Sequence, residues 1–132
     1  MAQRIGKYKI SKRESAMSLV DGGTATGRIV NASKTITSGG DAVDVANVNV
    51  LLVDKSGGNV TIGGFTGGTA GQVLHVVAIA DANNLIIEDA EGGGNQDINL
   101  GNADVTWTAL TGGLTLVCTG AAWTAIQAHD LS

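Results

Sequence analysis

The chain has 132 residues, 43% of them apolar, with a net charge of −4, a single cysteine, 20 glycines and no proline. That length fits one domain with an appendage. Cys118 is alone, which excludes an intrachain disulfide and fits a reducing compartment, and no apolar run approaches the 18 or so residues of a membrane span.

Charge is unevenly placed along the chain. The first thirteen residues hold Arg4, Lys7, Lys9, Lys12 and Arg13; after Lys55 there is no lysine or arginine, while Asp81, Glu88, Asp89, Glu91, Asp97, Asp104 and Asp130 follow. Such asymmetry marks an attachment tail on a separately folded module. Over residues 4–10, Ile5, Lys7 and Lys9 share one side of an extended chain and Tyr8 and Ile10 the other. Ser11 and Glu14 have capping-box spacing, and Ala16, Met17, Leu19 and Val20 follow as one or two helical turns that Asp21-Gly22-Gly23 ends. Residues 1–21 therefore read as a basic arm, extended or partly helical, and residues 22–132 as a second region. No apolar segment follows the basic start, so no secretion signal is expected. Without that route, the glycosylation patterns at Asn31 and Asn59 carry no weight.

Beyond residue 21 the apolar runs are short, rich in β-branched residues and bounded by glycine, asparagine or aspartate, which is the signature of strands. Strands are expected at 28–37, 43–53, 59–62, 72–80, 84–88, 97–100, 104–109, 114–118 and 122–127. Their spacing predicts an all-β body, either a compact sandwich or barrel or an interlocked trimeric β-prism. The run from Val43 to Val53 is largely apolar on both faces, which calls for burial on both sides, by the core and by a neighbouring subunit. With four aromatics and many glycines, a monomer has few large core residues, and self-association is expected. Gly-Gly-Thr-Ala occurs at 22–25 and again at 67–70, and reads as shared turn chemistry rather than a repeat of fixed period.

No motif points to catalysis. Gly22 to Gly27 has Walker spacing, but Arg28-Ile29 stands where Lys-Ser/Thr is needed. Glu88, Asp89, Glu91, Asn95 and Asp97 supply oxygen ligands without the spacing of a known calcium loop. His75, His129 and Cys118 are far apart, so neither a transition-metal site nor a nucleophile–base pair is expected, and Cys118 reads as a buried, inert thiol. No cofactor is expected. Trp107 and Trp123, with Val73 and Leu116 on apolar strands, read as anchors of the core or of a subunit interface. The arm residues Arg4, Ile5, Lys7, Tyr8, Lys9, Ile10, Lys12 and Arg13 read as a docking element for an acidic or edge-exposed protein surface. Nucleic acid is disfavoured, because five charges are few and the acidic body repels a polyanion.

The stretches Gly71-Gln72-Val73-Leu74-His75-Val76-Val77, Asn84-Leu85-Ile86-Ile87-Glu88-Asp89, Asp97-Ile98-Asn99-Leu100 and Leu114-Thr115-Leu116-Val117-Cys118-Thr119-Gly120-Ala121-Ala122-Trp123 form a set. Together they resemble a pattern of tailed-bacteriophage structural proteins: head fibres, capsid decoration proteins and tail-fibre pieces. The resemblance spans Gly71 to Ile126. Cys118-Thr119 departs from it, since tyrosine and aspartate often stand there. It implies a homotrimeric virion protein with an N-terminal anchor, made in the host cytoplasm and placed on the outer capsid surface. Its partners would be the major capsid protein and its own copies, with no direct nucleic acid or membrane contact. The expected function is cementing of the assembled head without catalysis. The alternative is a tail- or head-fibre module that recognises host glycans through Trp107 or Trp123.

Overall fold

A computed structural model of the chain describes Arg28 and residues 30–126. The chain divides into two units, residues 1–30 and 31–132, and the fold described here is that of the second. The arm expected over residues 1–21 lies outside the described residues.

Eleven strands follow in order: β1 (Ser33–Ile36), β2 (Val43–Asp44), β3 (Val50–Asp54), β4 (Val60–Ile62), β5 (Gly64–Thr66), β6 (Val73–Ile79), β7 (Asn84–Ile87), β8 (Gln96–Asn99), β9 (Val105–Thr108), β10 (Gly112–Cys118) and β11 (Ala122–Ala125). The all-β expectation holds. No helix among the described residues is long and apolar enough to cross a membrane. The arrangement is solenoid-like, in place of the expected barrel or prism.

Parallel pairing shows why. The first wall stacks β1 on β3 and β3 on β6, all parallel. A second wall runs from Gly40 through β4 to β7, again parallel, and a third begins with β2 parallel to β5. The chain thus winds through three walls in turn. Tight hairpins cannot make parallel neighbours, whereas returning once per coil does so at every wall.

After β7 the winding reverses. The turn at residues 88–95 has Ala90 at φ 59°, Gly93 at 58° and Gly94 at 98°. β8 then lies antiparallel to β5, β9 antiparallel to β7 and β10 antiparallel to β6. Finally β11 pairs with β10 and runs parallel to β8, joining the first and third walls into one eight-stranded sheet.

Inward side chains stack in columns. Leu51, Val76 and Leu114 are in register on the first wall, as are Ile62 and Ile87 on the second, and all of these are buried. Lys34 occupies the same column as Leu51 on the terminal strand β1. Its half-buried stem crosses the end of the core, and its ammonium donates to the Asp44 carbonyl of β2 at 2.8 Å, as expected of a snorkelling lysine.

The expected single strand over 43–53 is broken in two. Val45 N–H bonds to the Thr66 carbonyl and Val48 N–H to the Val45 carbonyl, while Asn47 turns the chain at φ 59°. Asparagine is one of the few residues that adopts this conformation at low cost. The break carries the chain from the third wall to the first.

Lys55 is the one buried charged side chain among the described residues, with 0% exposure. Its ammonium donates to three backbone carbonyls, Ala80 at 2.7 Å, Ala82 at 3.2 Å and Asn83 at 3.3 Å, so all three of its donors are used. Asn83, at φ 60°, returns the contact by donating its amide to the Lys55 carbonyl at 2.8 Å. Beside it, Asn84 N–H donates to Asn59 Oδ1 at 2.9 Å. The corners after β3 and β6 are therefore locked to each other. Asp54 begins the same corner, and the hydrogen bond from Ser56 N–H at 3.0 Å holds its carboxyl below the ordinary 3.8. A lowered folded value stabilises above the unfolded value and is lost as pH falls through the folded one.

Replacing Lys55 by methionine keeps the stem and removes the ammonium, leaving the Ala80 and Ala82 carbonyls without their donor while Asn83 keeps the Ala109 N–H. The expected loss is about 2–4 kcal/mol of unfolding free energy, read from the denaturant midpoint. An unchanged midpoint would show that the corner holds without the ion.

Candidate functional site

The connections before β3 and before β6 lie side by side and form an open cleft of about 410 Å3, lined by Asn47, Asn49, Thr69 and Gln72. Gln72 builds its floor. The Gln72 amide nitrogen donates to the carbonyls of Val45 (2.8 Å) and Val48 (2.7 Å), and its amide oxygen accepts from Thr69 N–H at 3.0 Å. Asn49 donates to the Val73 carbonyl at 3.0 Å. The lining is neutral, and each of its amide and hydroxyl groups both donates and accepts. Such a cleft suits a neutral polar ligand or the polar rim of an interface. It has no group that takes up or releases a proton near neutral pH.

Next to the cleft, the outward side of the first wall is mostly aliphatic. Val50 and Leu52 of β3, Val77 and Ile79 of β6 and Val117 of β10 are half-buried, and Val73 is 37% exposed. His75 lies among them and shares a 2.8 Å hydrogen bond with Thr115 Oγ1.

The anchors expected from the sequence fall in different places. Trp123 is wholly buried, edge-on to Phe65 with ring centroids 5.6 Å apart, and its indole N–H donates to Gln96 Oε1 at 3.2 Å. It therefore presents no ring to a sugar, which removes it from the glycan reading. The packing is close: a Cβ on Gly68 would fall 2.5 Å from Trp123 Cζ2. Leu116 is in the core, whereas Val73 is on the outward face. Trp107 is half-buried on β9, in register with Leu85, and its indole lies over Gly112, where a Cβ would come within 2.8 Å of Nε1. The arm residues Arg4, Ile5, Lys7, Tyr8, Lys9, Ile10, Lys12 and Arg13 lie outside the described residues.

Cys118 and His75 are kept apart by the pleat. Thr115, His75's partner, faces outward on β10, and Cys118, three residues on, is buried on the opposite side. The clustered acids serve the backbone: Asp97 Oδ1 accepts from Gly92 N–H (2.8 Å), Asp89 Oδ1 from Leu100 N–H (2.6 Å) and Asp104 Oδ1 from Asp89 N–H (2.8 Å). Among the described residues no three His, Cys, Asp or Glu side chains are grouped to hold a metal ion.

Three structural polar residues were not singled out from the sequence: Lys55, Gln72 and Gln96. Gln96 donates to the Gly68 and Gly120 carbonyls at 3.0 and 2.8 Å while accepting from Trp123. For Gln72 the available signal was a long amide at the start of the apolar strand β6, where strand propensity does not ask for one.

Replacing Gln72 by alanine leaves the Val48 carbonyl without a donor and the Val45 carbonyl with Val48 N–H alone, at a cost of about 1–3 kcal/mol. Gln72→Glu is expected to cost more at neutral pH, because a carboxylate then faces two carbonyl oxygens. It should recover partly in mild acid, where the protonated side chain regains an O–H donor. Denaturant midpoints at the two pH values check this, and an equal loss at both would contradict it. No protein-family model, curated protein or solved structure matches the chain.

Proposed function

We propose that this protein is a non-catalytic decoration or cement protein of a phage head. Its basic N-terminal segment grips the assembled shell, and its β body is displayed on the outer surface. The observation that carries this reading is the separation of charge: five of the eight basic residues lie in the first thirteen positions. Residues 31–126 carry nine carboxylates against Lys34 and Lys55, and the ammonium groups of both lysines donate to backbone carbonyls. Both lysines of the body thus engage its own backbone, and the arm is left to meet an acidic partner surface. A ligand that binds only the assembled shell adds its binding free energy to that state. Several arms on one homo-oligomer, which the resemblance implies to be a trimer, strengthen the effect through effective concentration.

The partners in this reading are the major capsid protein and copies of the chain, with no nucleic acid, membrane or cofactor. A second reading, glycan recognition by a fibre module, draws on the neutral amide-lined cleft at Asn47, Asn49, Thr69 and Gln72 and on half-buried Trp107.

The test is co-sedimentation with bare heads. The full chain is expected to pellet with them, and a variant with Arg4, Lys7, Lys9, Lys12 and Arg13 all changed to glutamate should stay in solution with an unchanged denaturant midpoint. Pelleting of both proteins alike would remove the arm from the mechanism. A glycan array on which the full chain binds, with loss of binding in Asn47→Ala, would favour the second reading.

A further inference from the structure

We infer that Lys34 is a charged stopper that keeps the open edge of the large sheet from pairing with the same edge of a second copy. The eight-stranded sheet has two edges, β1 and β2, and both belong to the first coil. At its far end β11 joins β10 to β8, so the first and third walls close on each other there. Val50 N–H donates to the Ala32 carbonyl, and in a parallel ladder alternate residues bond to opposite sides. Ser33 and Thr35 therefore aim their backbone N–H and C=O groups away from β3, where no strand pairs with them among the described residues. Such a row of donors and acceptors is a template for the edge of another chain, and folded proteins guard it.

The guard is the inward position of β1. Below Lys34 its column continues as Leu51, Val76 and Leu114, all buried and aliphatic. Ile36, two residues on, packs against the same core. A leucine in place of Lys34 would continue the column, so packing alone does not call for a charge here. The lysine stands only on the strand that ends the column, half-buried, with its ammonium on the Asp44 carbonyl at 2.8 Å. Pairing β1 with β1 of a second copy is isologous, so each residue of the edge meets its own counterpart about a two-fold axis. The two inward columns would then join, and two Lys34 ammonium groups would be drawn out of water into one seam. The Asp44 carboxylate is no ready partner, since its Oδ1 already accepts from Ala46 N–H at 3.0 Å. Like charges brought together in this way oppose the contact, and an inward-pointing charge on an edge strand is a known means of blocking it. The role of Lys34 is separate from shell binding.

Sedimentation velocity of the full chain at physiological salt, where the negative charge of the body is screened beyond about 8 Å, tests this. The variants are Lys34→Leu, Lys34→Arg and the double variant Lys34→Leu/Thr35→Pro. Lys34→Leu is expected to reach at least twice the wild-type mass, and Lys34→Arg to keep the wild-type mass. The proline removes the outward N–H of Thr35 and is tolerated on an edge strand, so the double variant should return to the wild-type mass. Should Lys34→Leu fail to fold by circular dichroism, Lys34→Met, which keeps the length of the stem, carries the test alone and with the proline. An unchanged mass in the folded apolar variant overturns the inference, as does doubling in Lys34→Arg. Doubling that survives the proline also overturns it, because the contact then lies away from β1.

Discussion

The ammonium of Lys55, enclosed by the carbonyls of Ala80, Ala82 and Asn83, holds the winding of this body in register. A buried charge is costly unless its hydrogen bonds are complete. Here backbone oxygens from the next coil complete them without a carboxylate. Lys55 and Ala80 are separated by 25 residues, the same offset that pairs Val50 with His75 on the first wall and Val60 with Leu85 on the second. The ion thus sits at the corner between two walls whose registers agree. If that corner slipped by one residue, the inward columns and the aliphatic outer face would exchange sides.

The same economy runs through the other corners. Gln72 ties the break between β2 and β3 to the start of β6, and Gln96 ties the start of β8 to both the β5–β6 connection and the β10–β11 hairpin. Acids in the reversing turn accept from backbone N–H groups. These polar side chains hold the chain's own backbone. In the proposed reading such a body serves display, and the N-terminal segment, with five of the eight lysines and arginines, supplies the positive charge that meets the shell.

Much of the strand pattern was legible. The run predicted at 72–80 is β6, Val73–Ile79, and that at 114–118 lies within β10, Gly112–Cys118, because β-branched runs between glycines leave few alternatives. The solenoid-like winding was not legible, for a physical reason. Successive coils pair at offsets of 17 residues from β1 to β3, 22 from β2 to β5 and 25 from β3 to β6, so no period repeats in the sequence. The reversal after β7 ends the series before a second 25-residue step. The break at Asn47 was hidden because Val43, Val45, Val48 and Val50 read as one apolar run. Lys55, followed by Ser56-Gly57-Gly58, looks like a solvated turn, and only the approach of a turn 25 residues away buries it. Gln72 looked like the polar edge of a strand for the same reason.

The central claim is that head binding is electrostatic and resides in the basic segment, while the body contributes shape and self-contact. The most direct measurement is the affinity for bare heads as salt is raised from physiological strength to about 1 M, where the screening length shrinks from ~8 Å to ~3 Å. Circular dichroism would monitor the body in parallel. The account expects the protein to leave the heads while its β signal is unchanged. Affinity that persists at high salt would contradict it, and would place the grip in apolar contacts of the body.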